Sequence, residues 1–269
     1  MEEQETNSPI VLTTDEINCL ELQNKRLVTD YKAQMLEVNA RKYWDLFYKR
    51  NETRFFKDRH WTTREFTDLL NLDCNLNSRR KVVLEIGCGV GNFIFPLLEE
   101  KINLFLFACD FSPRAIEFVK SNPLYNEDNV RAFVADVTTD DIFTTLEQST
   151  VDIVTLVFVL SAIHPEKFLK VLQNIFLLLK PGGIILFRDY GLYDMAQLRF
   201  KAGNKISENF YMRQDGTRSY YFSLEFTSEL LSKAGFEVVN ISYIHRRTIN
   251  KKDNIDVPRI FLQAKFKKP

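Results

Sequence analysis

The chain has 269 residues, 45% of them apolar, with 36 basic and 36 acidic side chains for a net charge of zero. That length and apolar content suit a packed globular fold and exclude a disordered or collagen-like chain, and no apolar run reaches the ~18 residues that a membrane helix needs. Four scattered cysteines (Cys19, Cys74, Cys88, Cys109) and three isolated histidines lack metal-ligand spacing, so no metal is expected.

In chain order, residues 1–30 carry a net charge of −5, and residues 1–25 are expected to be a disordered acidic tail. Met1-Glu2-Glu3-Gln4-Glu5 lacks the basic residues of a signal or transit peptide, so a cytoplasmic location is expected, with nuclear entry left open. Residues 26–80 read as a helical extension. Asp30–Arg50 brings Tyr43, Trp44, Phe47 and Tyr48 to one face, and Thr62-Thr63-Arg64-Glu65 reads as a capping box opening a second helix with Phe66, Leu69 and Leu70 inward. Residues 81–269 then alternate strands and helices in the manner of a doubly wound α/β sheet. Strands are expected at Val82–Gly87, Leu104–Asp110, Val130–Asp136, Asp152–Leu160 and Ile184–Arg188, the last preceded by the breaker Pro181-Gly182-Gly183. Residues 192–221 are longer and more basic than a crossover requires and read as an insertion after the fifth strand. The helix Leu224–Ala234 and a hairpin of Phe236–Asn250 with Pro258–Lys268 complete the chain. This order matches the seven-stranded, Rossmann-like sheet of class I methyltransferases.

The stretch that decides the cofactor is Leu84-Glu85-Ile86-Gly87-Cys88-Gly89-Val90-Gly91-Asn92. Its glycines, Gly87 and Gly89 among them, permit a tight strand-to-helix turn and close approach of a ligand. A dinucleotide turn places a third glycine where Asn92 stands. Glu85, just before the turn, would repel a pyrophosphate but suits a cationic amino-acid group. S-adenosylmethionine carries an ammonium and a sulfonium, whereas NAD carries two phosphates, so charge favours the former and disfavours a dehydrogenase. Asp110 ends the second of these strands, 19 residues after Gly91, and is placed to accept both ribose hydroxyls. Asp136 ends the third and can accept from the adenine amine, with Val137 beside the ring and Val157 as a further cofactor contact. A lone Asp at a strand end is usually a turn cap; the set in register carries the argument.

Phe55-Phe56-Lys57-Asp58-Arg59-His60-Trp61, Cys109-Asp110-Phe111-Ser112-Pro113, Phe158-Val159-Leu160-Ser161-Ala162, Phe187-Arg188-Asp189-Tyr190-Gly191 and Asn209–Arg218 add motifs outside the cofactor core. Together with the glycine turn they closely resemble the tRNA N(3)-methylcytidine methyltransferases, from about Lys32 to the C-terminus. His60–Phe66 and Ala162-Ile163-His164-Pro165 resemble the branch acting on serine tRNAs, although Asp194–Phe200 is shared with the threonine and arginine branch. The resemblance implies cytidine 32 of the anticodon loop as target and seryl-tRNA synthetase as partner. It also implies that the 26–80 region closes over cofactor and substrate, with Trp44 and Tyr48 as cofactor contacts, although core packing is the commoner fate of such a stripe.

The chemistry agrees. Cytosine N3 has an in-plane lone pair that can attack the methyl once aligned in a dry pocket. The methylated base is cationic, so Asp189, after the fifth strand, is the candidate catalytic carboxylate; the plain alternative is that it caps the loop or pairs with Arg188. Phe55, Phe56, Lys57, Arg59 and His60 are expected to hold a flipped-out base. Arg188, Arg199, Arg213 and Arg218 are expected on the substrate as well. Lys201, Lys205, Arg246, Arg247, Lys251 and Lys252 extend this basic set, since residues 188–269 carry net +6. A methyltransferase acting on a protein or small molecule would share the cofactor residues without needing these cations, and a non-catalytic cofactor-binding scaffold remains the reading from another class.

Overall fold

A computed structural model describes residues 4–8, 10–70, 79–139, 141–250 and 255–269, so Cys74, Lys251 and Lys252 lie outside the described residues. The expected tail is structured: β1 (Gln4–Thr6) is a strand and α1 (Thr14–Asn24) a helix. α1 opens on a capping box in which Thr13 Oγ1 accepts from the Glu16 N–H while the Glu16 carboxylate accepts from the Thr13 N–H. Its far end is anchored by Gln23, 1% exposed, which donates to the Gln197 carbonyl at 2.9 Å. Tertiary contact here overrides acidic composition.

The next expected helix divides into α2 (Asp30–Val38) and α3 (Ala40–Asn51). The break falls at Asn39, whose side chain donates back to the Met35 carbonyl. α4 (Thr62–Glu65) is a single turn, followed by a short 3-10 turn, rather than the expected longer helix. The capping box does not form, because the Thr62 hydroxyl donates to the Arg59 carbonyl and the Thr63 hydroxyl donates to Glu100.

β2 (Lys81–Ile86), α5 (Ile94–Glu99), β3 (Leu104–Asp110), α6 (Pro113–Ser121), β4 (Val130–Val134), β5 (Val151–Val157), α7 (Phe168–Leu178) and β6 (Leu179–Tyr190) give the expected alternation. β2 pairs in parallel with β3 and β5, and β3 with β4. Val83, Leu84, Val154 and Leu156 are fully enclosed, as strands covered on both faces require. Pro181-Gly182-Gly183 lies inside β6 rather than ahead of it, since the Gly182 N–H donates to the Lys268 carbonyl and so keeps a ladder bond. The insertion folds as α8 (Met195–Leu198) and a three-stranded antiparallel sheet of β7 (Lys205–Ser207), β8 (Phe210–Met212) and β9 (Arg218–Tyr220). α9 (Leu224–Lys233), β10 (Glu237–Asn250) and β11 (Ile255–Lys267) follow. Among the described residues the main ladder has eight strands, not seven, because β1 adds antiparallel to β10.

The chain forms two compact units. A parallel-strand unit holds residues 41–157, 170–186 and 267–269; an insertion unit holds residues up to Ala40, 158–169 and 187–266. The 26–80 extension is therefore not one module: its aromatic helix belongs with the parallel strands and its earlier residues with the insertion. Among the described residues no helix is long and apolar enough to cross a membrane.

Candidate cofactor and substrate site

In the parallel-strand unit the turn after β2 runs through three left-handed glycines, Gly87 (φ 65°), Gly89 (55°) and Gly91 (92°). A Cβ on Gly91 would lie 2.2 Å from the Phe95 ring, and one on Gly89 would lie 3.1 Å from the Tyr48 hydroxyl oxygen. The left-handed backbone and the close approach to Phe95 of α5 and Tyr48 of α3 favour glycine at both positions. The turn is fastened to the end of β3: Asp110 Oδ2 accepts from the Gly89 N–H at 3.0 Å and Oδ1 from the Ser112 N–H at 2.9 Å, while the Tyr48 hydroxyl is a further partner. Burial raises the Asp110 carboxyl to about 6 although these donors pull the other way. Each carboxylate oxygen has a second lone pair, so acceptor capacity remains for hydroxyls.

Glu85 is 2% exposed, and its Oε2 has no hydrogen-bond partner. Burial pushes its carboxyl up to about 8; Arg59, 3.7 Å from Oε1, lowers it, and Asp110 raises it further. An enclosed acceptor lacking a donor is costly unless a ligand satisfies it. An ammonium fits that need, and a phosphate does not. Asp136 is half-buried, with Oδ1 accepting from the Thr138 N–H at 2.9 Å. Val137 and Val157 are buried. Asn174, which carried no sequence signal, fixes the Asp136 loop by donating to the carbonyls of Val137 and Thr139. The donor and acceptor set therefore fits S-adenosylmethionine: Glu85 for the ammonium, Asp110 for the ribose, and Asp136 with Val137 for adenine.

α3 has a double role. Phe47 and Tyr48 are buried and pack with Val90, Ala115 and the half-buried Trp44 and Phe56. Tyr48 thus touches the turn and also belongs to the core. Asp45 ties the helix to α6 by accepting from the Ser112 hydroxyl at 2.9 Å, a link that no spacing reveals. The following loop is held by Asn92, the residue that replaces a third glycine. Its side chain donates to Asp58 Oδ1 at 2.9 Å and to the Phe56 carbonyl at 3.3 Å, and its carbonyl accepts from the Arg59 N–H at 2.8 Å. Phe55 packs edge-on against Phe47 and Phe56 yet stays 57% exposed. Lys57 and His60 are exposed, whereas Arg59 turns inward to Glu85. Cys88 and Cys109 are buried, and burial pushes both thiols up, so neither serves as a thiolate for attack on a base carbon.

In the insertion unit Asp189 is fully enclosed. Oδ2 accepts from the Ser161 N–H and Oδ1 from the Tyr190 N–H, each at 2.9 Å, and the Ser161 hydroxyl is a third partner. Burial raises the carboxyl to about 6. It thereby holds the short turn Leu160–Ala162 that follows β5. The basic set divides. Arg218, expected on the substrate, is 4% exposed; it pairs with Glu37, which also binds Lys167, and it donates to the Ala162 carbonyl. Arg188 is 2% exposed, bonded to Gln263 at 2.9 Å and stacked over Phe261. Lys205 is held by Asn24 and Glu208. These three are internal: Arg188 lies on β6 of the main sheet, and Lys205 and Arg218 lie on strands of the insertion, which is a folded sheet and not a solvated loop. Arg213 lies over the Tyr190 ring and, like Arg246, is half-buried. Arg247 is exposed but paired with Asp256, while Arg199 and Lys201 are exposed.

A family model described as "Methyltransferase domain" matches residues 58–241. The human tRNA N(3)-cytidine methyltransferase METTL6 is 55% identical over 259 residues, covering 96% of this chain and 90% of its own. The chain belongs to the tRNA N(3)-methylcytidine methyltransferase family. A Drosophila melanogaster relative, tRNA N(3)-methylcytidine methyltransferase Mettl2, is 39% identical over 271 residues, covering 100% of this chain and 81% of its own. Among solved structures, an S-adenosylmethionine-dependent methyltransferase from Anabaena variabilis aligns with TM-score 0.60 at 15% identity, covering 86% and 96% of the two chains. That likeness bears on the fold alone. The chain is an S-adenosylmethionine-dependent enzyme with a Rossmann-like methyltransferase fold.

Proposed function

We propose that this enzyme methylates N3 of cytidine in tRNA, at position 32 of the anticodon loop, that serine tRNAs are its substrates, and that seryl-tRNA synthetase is its partner. The observation that carries the chemistry is Glu85, a buried carboxylate with one unpartnered oxygen beside three left-handed glycines. S-adenosylmethionine bound there supplies an electrophilic methyl on a sulfonium. Transfer to N3 needs alignment rather than a strong base, because the lone pair is already free in the ring plane. Exposed Phe55, with Lys57 and His60 on the same loop, is the base-stacking element, and Asp189, which holds the Leu160–Ala162 turn, is the candidate catalytic carboxylate.

Serine tRNAs are favoured by the resemblance of His60–Phe66 and Ala162–Pro165 to that branch. With Arg188, Lys205 and Arg218 turned inward, fewer of the expected cations face phosphate, which favours a partner that delivers the tRNA. Initial rates on purified serine and threonine tRNAs, with and without seryl-tRNA synthetase, test the reading. Transfer to serine tRNA stimulated by the synthetase, chiefly at low enzyme concentration, is expected. Unstimulated transfer, or transfer to threonine tRNA alone, overturns the assignment of partner or substrate.

A further inference from the structure

The segment that follows β5 is restrained from three directions. Phe158 has a left-handed backbone (φ 60°), and its N–H donates to the Arg188 carbonyl at 2.8 Å. A bulky residue keeps that conformation only where its surroundings hold it, and such strain clusters at reactive sites. Ser161, buried, donates its N–H to Asp189 Oδ2 at 2.9 Å, and its hydroxyl reaches the same carboxylate. The Ala162 carbonyl accepts from Arg218 Nη2 at 3.4 Å. Arg218 lies over the Phe210 ring at 5.4 Å and pairs with one oxygen of Glu37, from α2, while Lys167 takes the other.

A carboxyl group turns freely about the last torsion of Asp, which is broad, so its plane is set by the donors it meets. One donor, the Tyr190 N–H, belongs to the adjacent peptide; the others come from Ser161, on a separate segment. We propose that Ser161 and Arg218 are positioning residues for methyl transfer: Ser161 fixes the plane of the Asp189 carboxylate, and Arg218, anchored by Glu37, holds the turn that carries Ser161. The inference rests on the reading of Asp189 as the candidate catalytic carboxylate. Burial raises that carboxyl to about 6; the Ser161 donors and the Tyr190 N–H oppose the rise, as does the charge of Arg213, between β8 and β9. Arg188, the preceding residue, turns to Gln263 and Phe261, and His164 packs edge-on against Phe210. Ser161 is thus the side chain whose loss moves the carboxylate's ionisation without changing any charge.

Single-turnover transfer to tRNA by the intact chain, measured against pH, tests the proposal. Cofactor is kept saturating, because burial raises Asp110 to about 6 as well. The wild-type rate rises through about 6, and Asp189→Asn lacks the rise. In Ser161→Ala the midpoint moves up by about one pH unit, the scale of one hydrogen bond to a charged acceptor, so the deficit grows as pH falls. Ser161→Thr, which keeps the hydroxyl, stays nearer the wild-type midpoint. Arg218→Lys keeps a charge for Glu37 without the guanidinium fork; its rate at saturating tRNA falls on the order of tenfold, with half-saturating tRNA within about twofold of wild type. A Ser161→Ala rate that is unchanged, or reduced equally at every pH, overturns the role of Ser161. An Arg218→Lys that keeps the saturated rate but needs more tRNA, with a shallower salt dependence, makes Arg218 a phosphate contact and overturns its role. A wild-type rise that persists in Asp189→Asn would instead defeat the reading of Asp189.

Discussion

Two groups of buried acids hold their charge in opposite ways. Glu37 and Asp194, in the insertion unit, are matched. Glu37 lies between Lys167 and Arg218, and its carboxyl is held below the usual range by hydrogen bonds and charge from both, against burial as the largest opposing influence. Asp194, fully enclosed, binds Arg259 and the Ile260 N–H. In the parallel-strand unit Glu85 and Asp110 are enclosed with too little positive charge, and burial lifts both above the ordinary carboxylate range. Matched charge holds a fold together; unmatched charge is a standing cost that a cationic ligand relieves.

The largest effect expected is on the matched side. Glu37→Ala leaves Arg218 buried without its carboxylate and should lower stability by about 3 kcal/mol, as breaking a buried pair does. Denaturant unfolding measures it, and a loss under ~0.5 kcal/mol, the ordinary range for a surface change, would mean that the pair is not structural. Asp189→Asn comes next. Single-turnover transfer should fall on the order of a hundredfold with cofactor affinity kept, because the shape persists and the charge does not. The wild-type rate should also rise with pH through about 6, as the carboxyl ionises, and the variant should lack that rise. A variant that keeps the wild-type pH profile would leave Asp189 a structural cap. Asp110→Ala removes the ribose acceptor and should weaken cofactor binding roughly tenfold or more by calorimetry. Unchanged affinity in a folded variant would remove Asp110 from the site.

The smallest effect is a slope. Glu85 is protonated more readily folded than unfolded, so its protonated form favours the fold. That stability is complete below the ordinary value of 4.5 and is lost as pH rises through about 8. The empty protein should therefore lose melting temperature across that window, and Glu85→Gln should flatten the curve. A melting temperature that climbs steadily from pH 5 to 8 would contradict the view of Glu85 as an unmatched buried acid.

The same contrast explains what the sequence made legible. Glu85, Gly87, Gly89, Asp110 and Asp136 follow from local rules, in which a strand ends, glycines turn the chain and an acid stands at a fixed offset. The alternation of strands and helices from residue 81 is equally local. Arg188, Lys205 and Arg218 were misplaced on the substrate surface because charge alone does not report burial, and their partners Gln263, Asn24 and Glu37 lie far away in the chain. α1 depends on distance in the same way, since Gln23 is anchored by a residue 174 positions later. In the sequence Asn92 marks only the absence of a glycine, yet its amide holds the loop that carries Phe55.

The proposed reaction is transfer of a methyl to N3 of cytidine 32, with the cofactor held by the acids at the glycine turn. Nucleoside mass spectrometry of purified serine tRNA, from cells lacking the chain and from cells re-expressing it, tests this directly. N(3)-methylcytidine at position 32 should vanish without the chain, return with the wild-type protein, and stay absent or sharply reduced with Asp110→Ala. Unchanged N(3)-methylcytidine in its absence, or full restoration by Asp110→Ala, would contradict the account.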